Sequence, residues 1–197
     1  MQLQGISINM DYKLNFLLLL MLPFTNMFFT EGPYDRMNDQ KEKLYKAYFA
    51  DQFKKYNLTP SMTGSGSNGK QFKLLNIGFN TKKSLNIDEA RRLLLLSVKD
   101  LLDRIDRDDY IHPFLIEVPF PAKRLDYEIN VVGINGMVEF PNGPTKDNKI
   151  SYVQLMNGII YYMVFTTLEA ETIILHKETY EEALDIIAKE NQHHENK

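Results

Sequence analysis

The chain has 197 residues, 44% of them hydrophobic, and carries a net charge of −3. That length suits one ordinary domain with an appendage, and the absence of a long basic run excludes nucleic acid as a main partner, since phosphate binding needs clustered Lys and Arg. There is no cysteine, which removes disulfides, thiolate metal sites, cysteine nucleophiles and lipidated cysteines together.

The first 30 residues hold one lysine, Lys13, and then an uncharged run from Leu14 to Thr30 with a dense apolar core from Phe16 to Leu22. Pro23 ends that core well before the roughly 20 apolar residues that a spanning helix needs, and its length suits the apolar region of a signal peptide. Residues 1–30 are therefore expected to be a signal peptide or an N-terminal membrane anchor, which makes the chain an exported protein, whether periplasmic, secreted or membrane-anchored. A buried hydrophobic helix of a cytosolic fold is the competing reading. Met1 and Met10 both remain open as the start.

Residues 31–58 read as an amphipathic helix. Tyr45, Phe49, Phe53 and Tyr56 fall on one side, with lysines at 41, 43, 46, 54 and 55 between them. Such an aromatic stripe either packs as the core face or lies on a membrane surface. Residues 59–70, TPSMTGSGSNGK, are expected to be a flexible Gly/Ser-rich turn or linker. They contain Gly64, Gly66 and Gly69 in a GxGxxG spacing and come within one residue of a phosphate loop, with Gln71 where Ser or Thr is needed. A phosphate cradle requires a strand before it and a helix after it. The sequence that follows, QFKLLNIGFN, is strand-like, so no nucleotide site and no cofactor is expected.

An α+β domain is expected over 71–191, organised on a long central helix at about 87–106. Ile87, Ala90, Leu94, Val98, Leu101 and Ile105 form one stripe, widened by Leu95 and Leu102, as expected for a helix lying on a sheet. Asn86 with Glu89 reads as a capping box, and Asp88–Arg92 and Asp100–Arg104 as i,i+4 pairs. Three residues depart from the pattern. Leu93 and Leu96 lie on the charged side, which marks a second contact face. Arg91 projects inside the apolar arc, either to snorkel to a carboxylate or to meet an anion or partner. Asp103, Asp106, Asp108 and Asp109 crowd the end of this helix without the alternating oxygens and glycine of a calcium loop, so no metal is expected.

The remainder reads as strands. Leu115–Pro119 is short, whereas Leu125, Tyr127, Ile129 and Val131 alternate with polar residues, the mark of a sheet with one wet face. Asn135-Gly136 and Asn142-Gly143-Pro144 are turn signals. Asn157-Gly158 between two apolar runs is a hairpin. Thr172–Lys177 adds a strand, Thr179 and Glu182 open a last helix at about 180–190, and 192–197 is a disordered polar tail. Consecutive strands favour a mainly antiparallel sheet of about 5–6 strands over a doubly wound one.

The segment 86–129 carries the runs Asp88-Glu89-Ala90-Arg91-x-Leu93-Leu94, Asp100-Leu101-Leu102-x-x-Ile105, Ile111-x-Pro113-Phe114-Leu115 and Pro119-Phe120-Pro121-Ala122-Lys123. With Tyr161 and residues 177–183, these resemble a family of signal-bearing proteins of chlamydia-like intracellular bacteria over roughly 72–185. The resemblance implies export from a bacterial cytoplasm. That family has no assigned activity, so it implies no site residue.

Two functional classes follow. The first is a non-enzymatic exported or tethered module that binds a protein, a peptide or an apolar ligand, with Tyr45, Phe49, Phe53, Arg91, Leu93 and Leu96 as contact residues. The second is a hydrolase using His112 or His176 with a nearby carboxylate. His193 and His194 belong to the tail, and no hydrolase signature accompanies either of the other two.

Overall fold

The computed structural model describes residues 32–137, 149–165 and 171–195. The apolar segment 14–30, the start site and the turn signal at 142–144 fall outside them. Helix α1 (Pro33–Tyr56) leads into strands β1 (Thr59–Ser67) and β2 (Phe72–Thr81), followed by helix α2 (Ile87–Ile105). After two short 3-10 turns come β3 (Leu125–Val131), β4 (Tyr152–Met156), β5 (Ile159–Phe165), β6 (Thr172–Thr179) and helix α3 (Tyr180–Glu195). The strands form one six-stranded sheet in chain order. Only β2 and β3 run parallel; every other neighbouring pair is antiparallel. The fold is therefore α+β with a mainly antiparallel sheet. The parallel pair exists because α2 carries the chain back to the starting end of the sheet, the crossover that parallel strands require.

Alternation decides which face is covered. In β3, Leu125, Tyr127, Ile129 and Val131 are buried while Asp126, Glu128 and Asn130 are half-buried on the other face. Leu75, Ile77 and Phe79 of β2, Val153 and Leu155 of β4, and Ile160 and Tyr162 of β5 join one core with the helices. Helix α2 lies between α1 and α3 and buries Ala90, Leu94, Leu95, Val98, Leu101 and Ile105, the expected stripe apart from Ile87 and Leu102, which are partly buried. Its start is the capping box read from the sequence: Asn86 Oδ1 accepts from Glu89 N at 2.9 Å, and Glu89 Oε2 from Asn86 N at 3.1 Å. Helix α3 opens the same way, with Thr179 N donating to Glu182 at 2.8 Å and Glu182 N to Thr179 Oγ1 at 3.1 Å. Asn157 (φ 52°) and Gly158 (φ 78°) turn β4 into β5 with two positive φ angles, the geometry of a type I′ turn.

Four expectations differ from the structure. Residues 59–67 form strand β1 rather than a linker, and only 68–71 turn. Edge pairing needs backbone groups, not side chains, and buried β2 offers a full row of them. Leu115–Pro119 makes a single bridge, Leu115 to Phe72, because Pro119 and Pro121 bring no N–H to a ladder. The helix pairs Asp88–Arg92 and Asp100–Arg104 are replaced by longer ties: Arg92 reaches Glu190 of α3 and Arg104 reaches Asp51 of α1. Helix α3 runs through Glu195, into the stretch expected to be a disordered tail from 192, since no Gly or Pro after Tyr180 stops it. Of the two readings of the aromatic helix α1 the core one applies: it belongs to the same compact unit as the sheet, with Met37, Leu44, Tyr45 and Tyr48 buried in the common core.

Two expected outcomes test this register. Leu94→Ala should destabilise the domain by about 2–5 kcal/mol in urea unfolding, whereas Leu96→Ala, at a position 50% exposed, should stay within about 0.5 kcal/mol. Equal losses would contradict the placement of α2. The caps make a second test. The Asn86 backbone N–H, then Lys83, holds the Glu89 carboxyl below the usual glutamate range, and the Thr179 backbone N–H does the same for Glu182. A folded pKa below its unfolded value contributes stability above the unfolded value and loses it as pH falls through the folded one. The melting temperature should therefore fall as pH drops below about 4.3, with a shallower slope in Glu89→Gln/Glu182→Gln.

Candidate functional sites on the two flanks of the central helix

Both flanks of α2 carry polar side chains that the apolar stripe cannot absorb. On the α1 side the partners come one turn apart on two helices. Tyr48 donates to Ser97 O at 2.8 Å, and its hydroxyl lies 2.8 Å from that of Tyr127. A turn further on, Asp100 Oδ2 accepts from Gln52 Nε2 at 3.3 Å, Lys55 Nζ at 2.7 Å and Tyr56 OH at 3.5 Å. Above this floor opens a cleft of about 580 Å³, edged by the Asp51–Arg104 pair and by Arg107, Asp108, Asp109 and Tyr110. Gln52 is fully buried, yet its Oε1 has no hydrogen-bond partner among the described residues. A buried acceptor without a donor costs about 1–3 kcal/mol.

Tyr48, Tyr127 and Lys55 all keep their protons in this cleft. Burial pushes the Tyr48 and Tyr127 hydroxyls well above the usual phenol range, so neither serves as a phenolate. The Asp100 hydrogen bond raises Lys55 and keeps it an ammonium, unsuited to nucleophilic attack.

On the α3 side, Arg91 Nε donates to Glu178 Oε1 at 2.7 Å, and Arg91 Nη1 to Asp88 Oδ1 at 2.6 Å. Tyr162 donates to the same Glu178 oxygen, and the guanidinium lies 5.8 Å over its ring. The Arg91 and Glu178 side chains are 6% and 5% exposed. Burial opposes the Arg91 charge, but Glu178 and Asp88 outweigh it and raise its pKa. Burial first, and Glu178 second, also raise the Tyr162 hydroxyl. Glu178 Oε2 is buried without a hydrogen bond; His176 Nε2 is 3.6 Å away. A groove of about 380 Å³ between β6 and α3 lies over this carboxylate.

The residues singled out from the sequence therefore scatter. Arg91 meets the carboxylate of Glu178, in the interior rather than at the surface, and lies over the Tyr162 ring. Leu93 packs partly on the core, and Leu96 is half exposed. Tyr45 is buried and donates to Gly64 O at 3.3 Å. Phe49 packs among Tyr45, Tyr48 and Phe79. Only Phe53 of that stripe is mostly exposed, at 55%. His112 and His176 line no common cleft: the His112 ring bonds Ile105 O at 3.0 Å, bracing the end of α2, and His176 faces Glu178. Gln52, Ser97 and Glu178 carried no sequence signal, because a polar residue inside a helix or strand looks solvated until its partner is known. Among the described residues no group of three His, Cys, Asp or Glu side chains could hold a metal ion, and no helix is long and apolar enough to cross a membrane. No protein-family model, curated protein or solved structure matches the chain.

The buried pair makes a stability test. Removing one partner, as in Arg91→Met or Glu178→Met, should cost about 3–5 kcal/mol. The double variant should cost clearly less than the sum of the two. Additive losses in urea unfolding would show that the two side chains do not interact.

Proposed function

We propose that this chain is an exported or membrane-tethered, non-enzymatic α+β module that binds a peptide or protein segment in the cleft between α1 and α2. The observation that carries the reading is the fully buried Gln52, whose amide oxygen has no donor at the foot of an open, charged cleft. Its Nε2 already serves Asp100, so the amide cannot turn over without setting oxygen against oxygen. A backbone N–H of an entering chain is the donor that fits. The rim supports a segment with charges of both signs: Arg107 and Lys55 line it together with Asp108 and Asp109, and Tyr110 is 78% exposed. An exposed tyrosine beside arginine is the composition of a protein-binding hot spot. An apolar ligand is disfavoured, because this cleft is lined mainly by charged and polar groups. Export rests on the apolar segment 14–30 and the family resemblance.

The hydrolase reading has two observations in its favour, His176 beside Glu178 and His112 Nδ1 3.7 Å from Asp109 Oδ1. The lining of the His176 groove, however, holds no Ser, Thr or Cys, Tyr162 keeps its proton, and the His112 ring is engaged by Ile105 O. Binding is the reading that the side chains present support better.

Selection of a random peptide library on the immobilised full chain tests this. Peptides should be enriched, and Tyr110→Ala and Arg107→Glu, both at exposed positions, should each weaken them by about tenfold or more with an unchanged melting temperature. Failure to enrich any peptide, or enriched peptides that bind both variants as well as the parent, would overturn the assignment.

A further inference from the structure

The groove on the other flank of α2 is separate from the peptide cleft and leads to a different ligand. Glu178 stands at its floor with one oxygen saturated by Arg91 and Tyr162 and the other buried without a donor. Glu182 and Asp185 of α3 face the same groove, and Ile186 gives it an apolar wall. We propose that this groove binds a primary ammonium group on an alkyl stem, with Glu178 Oε2 as the acceptor.

The choice of ligand follows from what the groove can satisfy. A carboxylate oxygen takes a charged N–H donor more strongly than a neutral one, and Glu178 Oε2 offers only lone pairs, so the donor has to come from the ligand. Ile186 suits methylenes, as the stems of amines require. Lys177 and Lys189 also lie in the lining but neither bonds Glu178, and their exposed chains can swing out or meet a carboxylate on the ligand. His176 is the cover. Its ring is 43% exposed and stands 3.6 Å from Oε2, beyond hydrogen-bonding distance. Turning it aside opens the route to the buried oxygen. The ammonium can belong to a free amine or to the lysine side chain of a peptide; the chemistry at Glu178 is the same.

The test is titration of the full chain with cadaverine, with Nα-acetyl-lysine amide and with tetramethylammonium, read from the His176 imidazole proton resonances, which His176→Ala identifies. Both N–H-bearing ammonium ligands should shift that resonance saturably at millimolar concentration, and tetramethylammonium should not. Saturation by cadaverine alone assigns the site to free amines; comparable saturation by the lysine amide assigns it to lysine side chains. Glu178→Gln should weaken binding by about tenfold or more. Because that change also touches the buried Arg91, Asp185→Asn at an exposed position supplies the second variant and should weaken binding severalfold. His176→Ala, followed by calorimetry, should tighten it. No saturable shift with either amine, equal binding of tetramethylammonium, or loss of binding in His176→Ala would each overturn the proposal.

Discussion

Helix α2 has to be covered on three sides at once. Its apolar stripe of Ala90, Leu94, Val98, Leu101 and Ile105 needs the sheet, and the residues beside that stripe meet a helix on each flank. Serving as the crossover between β2 and β3, it also sets the one parallel pairing in an otherwise antiparallel sheet. Helices α1 and α3 are thus held to the sheet partly through α2. The long ion pairs record this: Arg104 to Asp51 on one flank, Arg92 to Glu190 on the other.

The same constraint places both candidate sites. A helix stripe wide enough to meet a sheet and two neighbours reaches positions where apolar side chains alone do not close the seam, and polar groups fill the rest. Tyr48, Ser97, Tyr127, Gln52 and Asp100 close the α1 seam; Arg91, Tyr162 and Glu178 close the α3 seam. Each network is anchored firmly at one end and leaves an acceptor without a donor at the other. Apolar replacements at these positions would avoid the desolvation cost. Under the proposed reading, the unsatisfied atoms of Gln52 and Glu178 are what a ligand would meet.

Local chemistry was readable from the residues; long-range partnership was not. The Asn86–Glu89 box, the Thr179–Glu182 box, the Asn157-Gly158 turn and the alternation of Leu125–Val131 each act within a few residues, and each stands in the structure as read. Strand β1 was not readable, since Thr59–Ser67 has the composition of a linker and becomes a strand only because β2 lies beside it. Nor was the fate of Arg91: its carboxylate lies 87 residues away, and nothing near Glu178 marks it as buried. The i,i+4 pairs misled for the same reason, as Arg92 and Arg104 found better-placed carboxylates on other helices. The face of α1 could be predicted, but whether that face met a core or a membrane depended on Phe79 and Tyr127 being there to receive Tyr48 and Phe49.

The claim that everything else relies on is that α2 is the common spine and that α1 is part of the body it organises. Native-state hydrogen exchange of the full chain measures this directly, because amides that open only by global unfolding share one free energy. The account predicts that amides of α2, β2 and β3 exchange together at the slowest rate, with the buried turn of α1 around Tyr45–Tyr48 in the same class. Exchange of that turn at rates typical of a freely fraying helix, or opening of α2 while the sheet stays protected, would contradict it.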